Sequence, residues 1–188
     1  MAHALPLIGY FPKQTAVPRA WDHAPHVTSI CSISTCIGSA PEGWMERWIH
    51  NDWGYFASVD DARSTIPQGA RDFTLFAYRL FPRRFIHHET EPIELELPPI
   101  EPLPPAFHSI GFDVVSRSYS AFFECSPLSC NGLAIQIPVN MFCLLDTLDQ
   151  AAALAQRFAI EQPEPGSYYV IEVLRESSPA SAATSPPS

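Results

Sequence analysis

Residues 125–130, Cys125-Ser126-Pro127-Leu128-Ser129-Cys130, are the stretch that decides the fold, because an earlier stretch resembles them. Residues 31–36 read Cys31-Ser32-Ile33-Ser34-Thr35-Cys36, so both follow the pattern Cys-Ser-x-x-(Ser or Thr)-Cys. Together they contain four of the five cysteines in the chain. A cysteine pattern that occurs twice in this way indicates an internal duplication.

Other landmarks repeat in the same order around these two motifs. Ile8-Gly9-Tyr10 precedes the first motif and Ile110-Gly111-Phe112 precedes the second, while residues 58–62 resemble residues 147–151. The offset between copies falls from 102 at the glycines (111 − 9) to 94 at the first cysteines (125 − 31) and 89 at the alanines (151 − 62). Changing offsets require insertions and deletions in loops, which a duplicated domain tolerates better than a stacked solenoid.

Each half is predicted to fold as a β-β-β-α-β unit. The second half gives the clearer pattern, with strands predicted at 110–115, 121–125 and 141–145, a helix at 147–160 and a closing strand at 168–174. Thr147 followed by Gln150 is typical of a capping box at a helix start. Two such units predict an α+β fold, an internally duplicated and mainly antiparallel sheet with helices packed on one face.

The composition of successive segments predicts the domain organisation. Residues 1–82 form the first repeat half, which includes a Trp-rich helical insert at about 41–53, and residues 106–176 form the second half. Residues 83–105 are a Pro- and Glu-rich strap, because Pro98-Pro99 and the prolines at 102, 104 and 105 favour extended polyproline-like chain. Residues 177–188 are a Ser/Ala/Pro tail that we expect to be disordered.

Charge and hydrophobicity exclude several classes of partner. The net charge is −9 and Lys13 is the single lysine, so we expect no nucleic-acid partner. No apolar segment approaches the roughly 20 residues that span a bilayer, and no signal peptide is visible, so we expect no membrane association and a cytoplasmic location. Cysteines in that compartment are reduced by default.

Metal binding is one hypothesis for the cysteine motifs. Zinc takes four His or Cys ligands tetrahedrally, and two sets are available: His23, His26, Cys31 and Cys36, or Cys31, Cys36, Cys125 and Cys130. The usual zinc spacing is Cys-x2-Cys, however, and a free cysteine behaves as a small buried hydrophobe. We therefore predict a packed-core role and no cofactor, with zinc as the alternative.

Thiol catalysis is a second hypothesis. A reactive cysteine needs a nearby base, a cation or a helix N-terminus to lower its pKa. Arg117 and Glu124 are near Cys125 in sequence, which makes these three the catalytic candidates. Arg117 is also suited to bind a carboxylate or phosphate, although an internal Arg–Glu pair across neighbouring strands explains it as well.

The tryptophans suggest a third role, because all four lie in the first half. If Trp44, Trp48 and Trp53 are not all buried, they form an exposed aromatic patch that marks a partner site, and the acidic charge favours a basic protein partner. Ordinary core packing is the alternative. We predict a non-enzymatic binding or interaction module that uses this Trp-rich surface or the cleft between the halves. The alternative function is a cysteine- or zinc-dependent enzyme of unknown substrate.

Overall fold

The structure, a computed structural model, describes residues 5–15, 24–34, 38, 40–44, 50–51, 53–70, 72–87, 89–92, 97, 99–118 and 125–177, and for 89–92 only the backbone. Its strands are β1 Leu7–Gln14, β2 Phe73–Leu80, β3 Arg83–Ile86, β4 Glu89–Pro92, β5 Phe107–Arg117 and β6 Ser167–Glu176. Its α-helices are α1 Val59–Ser64, α2 Pro127–Cys130 and α3 Leu148–Glu161, and a 3-10 turn spans Leu133–Ile135. Within these residues, no helix has the length and apolar character that crossing a bilayer requires.

The strands form one antiparallel sheet in which β6 is central. Strand β5 pairs with the whole of β6, from Phe107 opposite Glu176 to Arg117 opposite Ser167. The other edge of β6 is shared by β2 and β3. Strand β1 then pairs with β2, and β4 pairs with β3. The predicted α+β class with a mainly antiparallel sheet is confirmed.

Within the described residues, the order of elements differs from the predicted β-β-β-α-β, and the strand predicted at 121–125 lies almost wholly outside those residues. Phe56 forms only isolated bridges, with Tyr10 and with His50, and Leu145 forms only an isolated bridge with Phe112. The preceding residues turn back on themselves, because the Asn51 N–H donates to the Tyr55 carbonyl at 2.7 Å and the corresponding bond occurs in residues 140–144. No ladder continues past such a turn, so the described regular elements are β1-α1-β2 in the first half and β5-α2-α3-β6 in the second.

Both faces of the sheet are buried. Helix α3 covers the face that carries Tyr168 and Val170, and the ring of Phe158 lies 5.7 Å from that of Tyr168. On the opposite face, Ile171 is paired directly with Asp113, so these two side chains share one side of the pleat. Residues from the loops before each helix cover that opposite face, which explains why the strands are apolar on both sides.

Helix α3 starts where the sequence predicts. Thr147 is its N-cap, and the reciprocal bonds of a capping box with Gln150 are both present. The helix ends at Glu161, and its C-cap, Gln162, has the left-handed conformation with φ 52°. Helix α1 begins in the same manner, because the Ser58 side chain accepts a hydrogen bond from the Asp61 N–H.

Candidate functional site

The two copies of the cysteine-flanked motif meet at one carboxylate on β5. Ser32 donates a hydrogen bond of 2.7 Å to Oδ2 of Asp113, and Ser126 donates one of 2.6 Å to Oδ1 of the same residue. Both serines follow the first cysteine of their motif. Asp113 is fully buried, so this junction joins the two halves of the chain inside the core.

A buried cation and a backbone amide complete this junction. The Ile33 N–H donates to Oδ2 of Asp113 at 3.0 Å. Lys13, which is 2% exposed, donates from Nζ to the carbonyls of Ser32, at 2.9 Å, and Ser34. Burial raises the pKa of Asp113, while the hydrogen bonds from Ser126, Ser32 and the Ile33 amide, together with the charge of Lys13, act in the opposite direction.

The Asp113 junction is sealed rather than open to a substrate. Both carboxylate oxygens already accept hydrogen bonds from neighbouring groups, and the side chain has no contact with solvent. A general base has to reach the proton that it removes, so this carboxylate does not meet the geometric requirement. The arrangement instead fits a fully satisfied polar network that specifies how the core packs.

The cysteines of the two motifs lie in unlike surroundings. Cys31 is buried, and its N–H donates to the Phe142 carbonyl of the second half at 3.1 Å. Cys125 is half-buried and its carbonyl accepts from the Ser116 N–H at 2.8 Å. Cys130 is also half-buried, with its Sγ 3.3 Å from the Ser34 hydroxyl. Cys36 lies outside the described residues.

The predicted histidine ligands are not gathered with these cysteines in the described part of the chain. His26 is exposed, and its Nε2 lies 3.0 Å from the Val139 carbonyl, whereas Cys31 is buried. His23 lies outside the described residues. Among the residues that the structure describes, no three His, Cys, Asp or Glu side chains are grouped so as to hold a metal ion. The zinc hypothesis stays a prediction.

Arg117, a predicted catalytic residue, contacts one of the predicted binding tryptophans. Its guanidinium lies 4.5 Å from the centre of the Trp53 ring, and Trp53 is 6% exposed. Trp44 is half-buried and meets Phe11 edge to face at 4.8 Å. Trp48 and the third catalytic candidate, Glu124, lie outside the described residues. The Trp-rich surface therefore stays a prediction, and the described tryptophans contribute to packing.

An apolar cleft lies beside α3, on the outside of the second half. Its volume is about 380 Å³, and we name it the α3 cleft after its lining residues, Ile137, Pro138, Leu145, Gln150, Ala153, Leu154 and Arg157. Sequence reasoning missed this cleft. The capping box and the buried face of the predicted helix imply an outward stripe containing Gln150, Ala153 and Arg157, but no signal in the sequence places residues 137–138 opposite it.

The α3 cleft has one charged lining residue, Arg157, and two exposed acids lie next to its lining residues in the chain. Asp146 and Asp149 are exposed and are the chain neighbours of the lining residues Leu145 and Gln150. Arg157 is ion-paired with Glu161, its Nε lying 3.3 Å from Oε2. One turn of helix beyond Arg157, Ile160 is 60% exposed. The cleft thus has an apolar floor, an ion-paired arginine in its lining, two exposed acids next to that lining in the chain and an exposed apolar side chain on the same helix.

Comparisons with protein-family models, with curated proteins and with solved structures find no match to this chain. The geometry and chemistry of the described residues therefore carry the functional argument. Two arrangements stand out among those residues, the sealed Asp113 junction in the core and the open α3 cleft at the surface.

Proposed function

We propose that this protein is a non-enzymatic binding module and that the α3 cleft is a surface through which it binds. The observation that carries the proposal is the contrast between the α3 cleft and the Asp113 junction. The cleft is open, with an apolar floor and polar groups among its lining, as in the contact surfaces between proteins. Among the described residues, the cluster of hydrogen-bonded and charged groups around Asp113 is closed to solvent.

The buried thiols also favour binding over catalysis. Burial raises the pKa of Cys31 and, more strongly, that of Cys143, so both are held as thiols rather than thiolates. The thiolate is the nucleophile in cysteine chemistry. The half-buried Cys125 and Cys130 are the cysteines on which the alternative, a cysteine-dependent enzyme, would depend among the described residues.

Partner capture with a matched pair of variants tests the proposal. Ala153 lines the cleft, whereas Gln156 is exposed on the same helix and does not line it. Methionine is a good helix former at either position, and in Ala153→Met it fills the cleft. The full chain, Ala153→Met and Gln156→Met would each be immobilised and exposed to an extract of the source organism, and the captured proteins would be identified by mass spectrometry.

A protein that the wild type and Gln156→Met capture, but Ala153→Met does not, is the expected result. Equal capture by all three would indicate that binding occurs at another surface, such as the Trp-rich one, and would overturn the assignment of the cleft. Far-ultraviolet circular dichroism of both variants checks that neither has lost the fold.

We propose further that the two halves descend from one duplicated unit. The side chains of Asn51 and Asn140 make matching hydrogen bonds, separated by the offset of 89 (140 − 51) that also separates Ala62 from Ala151. Each Nδ2 donates at 2.9 Å to a strand carbonyl, and each Oδ1 accepts two backbone N–H groups at 2.9 and 3.2 Å; the bonded residues are Ile8, Trp53 and Tyr55 in one half and Ile110, Phe142 and Leu144 in the other.

Two glycines support the same proposal. Gly9 and Gly111 have φ of +140° and +137°, a conformation that side chains rarely adopt, and each lies at a register shift of its strand. A Cβ on Gly9 would lie 2.6 Å from that of Tyr55, and one on Gly111 would lie 2.7 Å from the Leu145 carbonyl oxygen. The turns that begin at Asn51 and Asn140 pass too close to the two strands for any residue larger than glycine at these positions.

The sheet is consistent with a two-fold relation between the halves. Tyr10 pairs with Ala77 on β2, and its counterpart Phe112 pairs with Glu172 on β6. Equivalent residues of β2 and β6 are therefore 95 positions apart (172 − 77), which makes Tyr78 the equivalent of Val173 (173 − 78). Those two residues are themselves paired where β2 meets β6. A two-fold axis between equal units produces this self-pairing of equivalent strands.

A further inference from the structure

We infer that the α3 cleft takes an apolar side chain from a positively charged segment of another protein. This inference rests on the proposed function, because it names the partner chemistry of the same cleft. Three features of the described residues carry it: the exposed acids Asp146 and Asp149 beside the lining residues, the open shape and the exposed apolar side chain of Ile160.

The charge around the cleft selects a basic partner. Asp146 and Asp149 are exposed next to the lining residues Leu145 and Gln150, and the charged lining residue, Arg157, is ion-paired with Glu161 at 3.3 Å. The helical spacing from Asp149 to Ala153 is four residues, which puts them on the same stripe of α3. With a net charge of −9 over the whole chain, the local field and the overall field have the same sign. Complementary charge steers association and excludes partners of the wrong sign.

The shape of the cleft selects a side chain that belongs to a larger surface. Small-molecule sites enclose most of the ligand, but this cleft is open, so a small ligand would stay largely in contact with water. A protein segment gains further contact outside the cleft. Ile160, 60% exposed on the same helix, provides an apolar contact there.

Two other occupants fit less well. A second copy of this chain would bring the same exposed acids and the same net charge of −9 against itself in a two-fold interface, and like charges in such contact are unfavourable. The chain's own residues 178–188 contain only Ser, Pro, Ala and Thr, so they supply neither a large apolar side chain nor a positive charge. A basic segment of another protein satisfies both requirements.

Selection from a display library of random peptides of about 12 residues tests this inference without a known partner. The full wild-type chain is the target. We expect the enriched peptides to share one large apolar residue flanked by Lys or Arg. Synthetic versions of the strongest peptides would then be titrated against the variants by fluorescence anisotropy.

Matched variants separate the apolar and the electrostatic contributions. Ala153→Met should weaken peptide binding by about tenfold or more, because burying one large apolar side chain is worth that much, and Gln156→Met should leave it unchanged. Asp149→Asn should weaken binding by about two- to fivefold at low salt, and this effect should fade at high salt. Asp60→Asn is its control, since Asp60 is likewise an exposed acid in the first turn of a capped helix.

The outcomes distinguish this inference from the proposed function. Peptides that depend on Ala153 but lack positive charge would overturn the partner chemistry and leave the binding module standing. No enrichment, or enrichment indifferent to Ala153→Met, would count against both. Dimerisation that Ala153→Met abolishes would identify a second copy as the occupant. A change in the Ala153 amide resonance on removal of residues 178–188 would identify the chain's own tail. Either of these last results would overturn the inference.

Discussion

Asn51 and Asn140 hold equivalent turns in the two halves of the chain with hydrogen bonds of the same lengths. Each side chain spans a gap between a strand and the turn that crosses it, satisfying one carbonyl and two N–H groups. The Cβ positions of Gly9 and Gly111 face these turns, so each asparagine acts together with a glycine. Because Asn51 and Asn140 make the same bonds, the loss of either side chain should have a similar effect on stability.

Replacing either asparagine by alanine should therefore destabilise the protein to a similar extent. Each change leaves three backbone polar groups without their side-chain partner, and we expect a loss of about 2–3 kcal/mol in the free energy of unfolding. Urea denaturation of Asn51→Ala and Asn140→Ala would measure it. Asn131→Ala is the control, because Asn131 is exposed and its amide donates one bond, to Pro163, so we expect a loss of about 0.5 kcal/mol or less. A large cost at one site and none at the other would contradict the equivalence.

Asp113 should make stability depend on pH in a defined direction. Burial raises its pKa in the folded protein, so its contribution to stability is fully present below the unfolded pKa of about 4 and is lost as pH rises through the folded value. Asp113→Asn does not titrate. We therefore expect the variant to gain stability relative to the wild type as pH rises from about 4 to 7, measured by urea midpoints.

The opposite trend would show that the neighbours of Asp113 outweigh its burial. The charge of Lys13 lowers the pKa of Asp113. The charge of Asp113 in turn raises the pKa of Tyr55, Tyr78 and Cys143, so these three groups are coupled to its titration. A wild type that gains on the variant over this pH range would place the folded pKa of Asp113 below its ordinary value. The same measurement thus decides which influence dominates.

The two serines that donate to Asp113 should differ in importance. Ser32→Ala removes the bond to Oδ2 and also the bond that the Ser34 N–H donates to the Ser32 hydroxyl at 3.1 Å. Ser126→Ala removes the bond to Oδ1. We expect losses of about 2–3 and 1–2 kcal/mol, respectively, since a buried group left unsatisfied costs that much. Urea unfolding of both variants and of the double variant measures the losses, and a sum that fails to add would confirm that the serines share one network. Equal and negligible losses would contradict it.

The sequence predicts the class of the fold because hydrophobic pattern and helix caps are local signals. Thr147 and Gln150 indicate the start of α3, and the repeated Ile-Gly-aromatic motif indicates β1 and β5. The strand predicted at 141–145 does not form, because the turn at Asn140 ends the pairing with β5 after a single bridge, as the turn at Asn51 does beside β1. The offset of 89 already aligned Asn51 with Asn140, so those turns left a signal that could have been found.

The site is harder to predict because it depends on contacts between distant residues. The motif serines were visible in the sequence, but Asp113 is 81 residues from Ser32, and nothing local indicates that one carboxylate receives both hydroxyls. Lys13 is conspicuous as the single lysine, yet its burial follows from the loop that folds over it. The α3 cleft likewise requires residues 137–138 to lie against a helix that begins ten residues later.

The accessibility of the thiols discriminates the binding module from the cysteine-dependent enzyme. Cys31 and Cys143 are buried with raised pKa values, so iodoacetamide should alkylate them at least about tenfold more slowly in the folded protein than in urea. Cys125 and Cys130 are half-buried and should react at intermediate rates, followed peptide by peptide with mass spectrometry. An activated nucleophile behaves differently, because its lowered pKa makes it react faster when folded than when unfolded. Faster alkylation of Cys125 in the folded chain would therefore favour the enzyme, whereas slower alkylation of all four would leave binding as the better explanation.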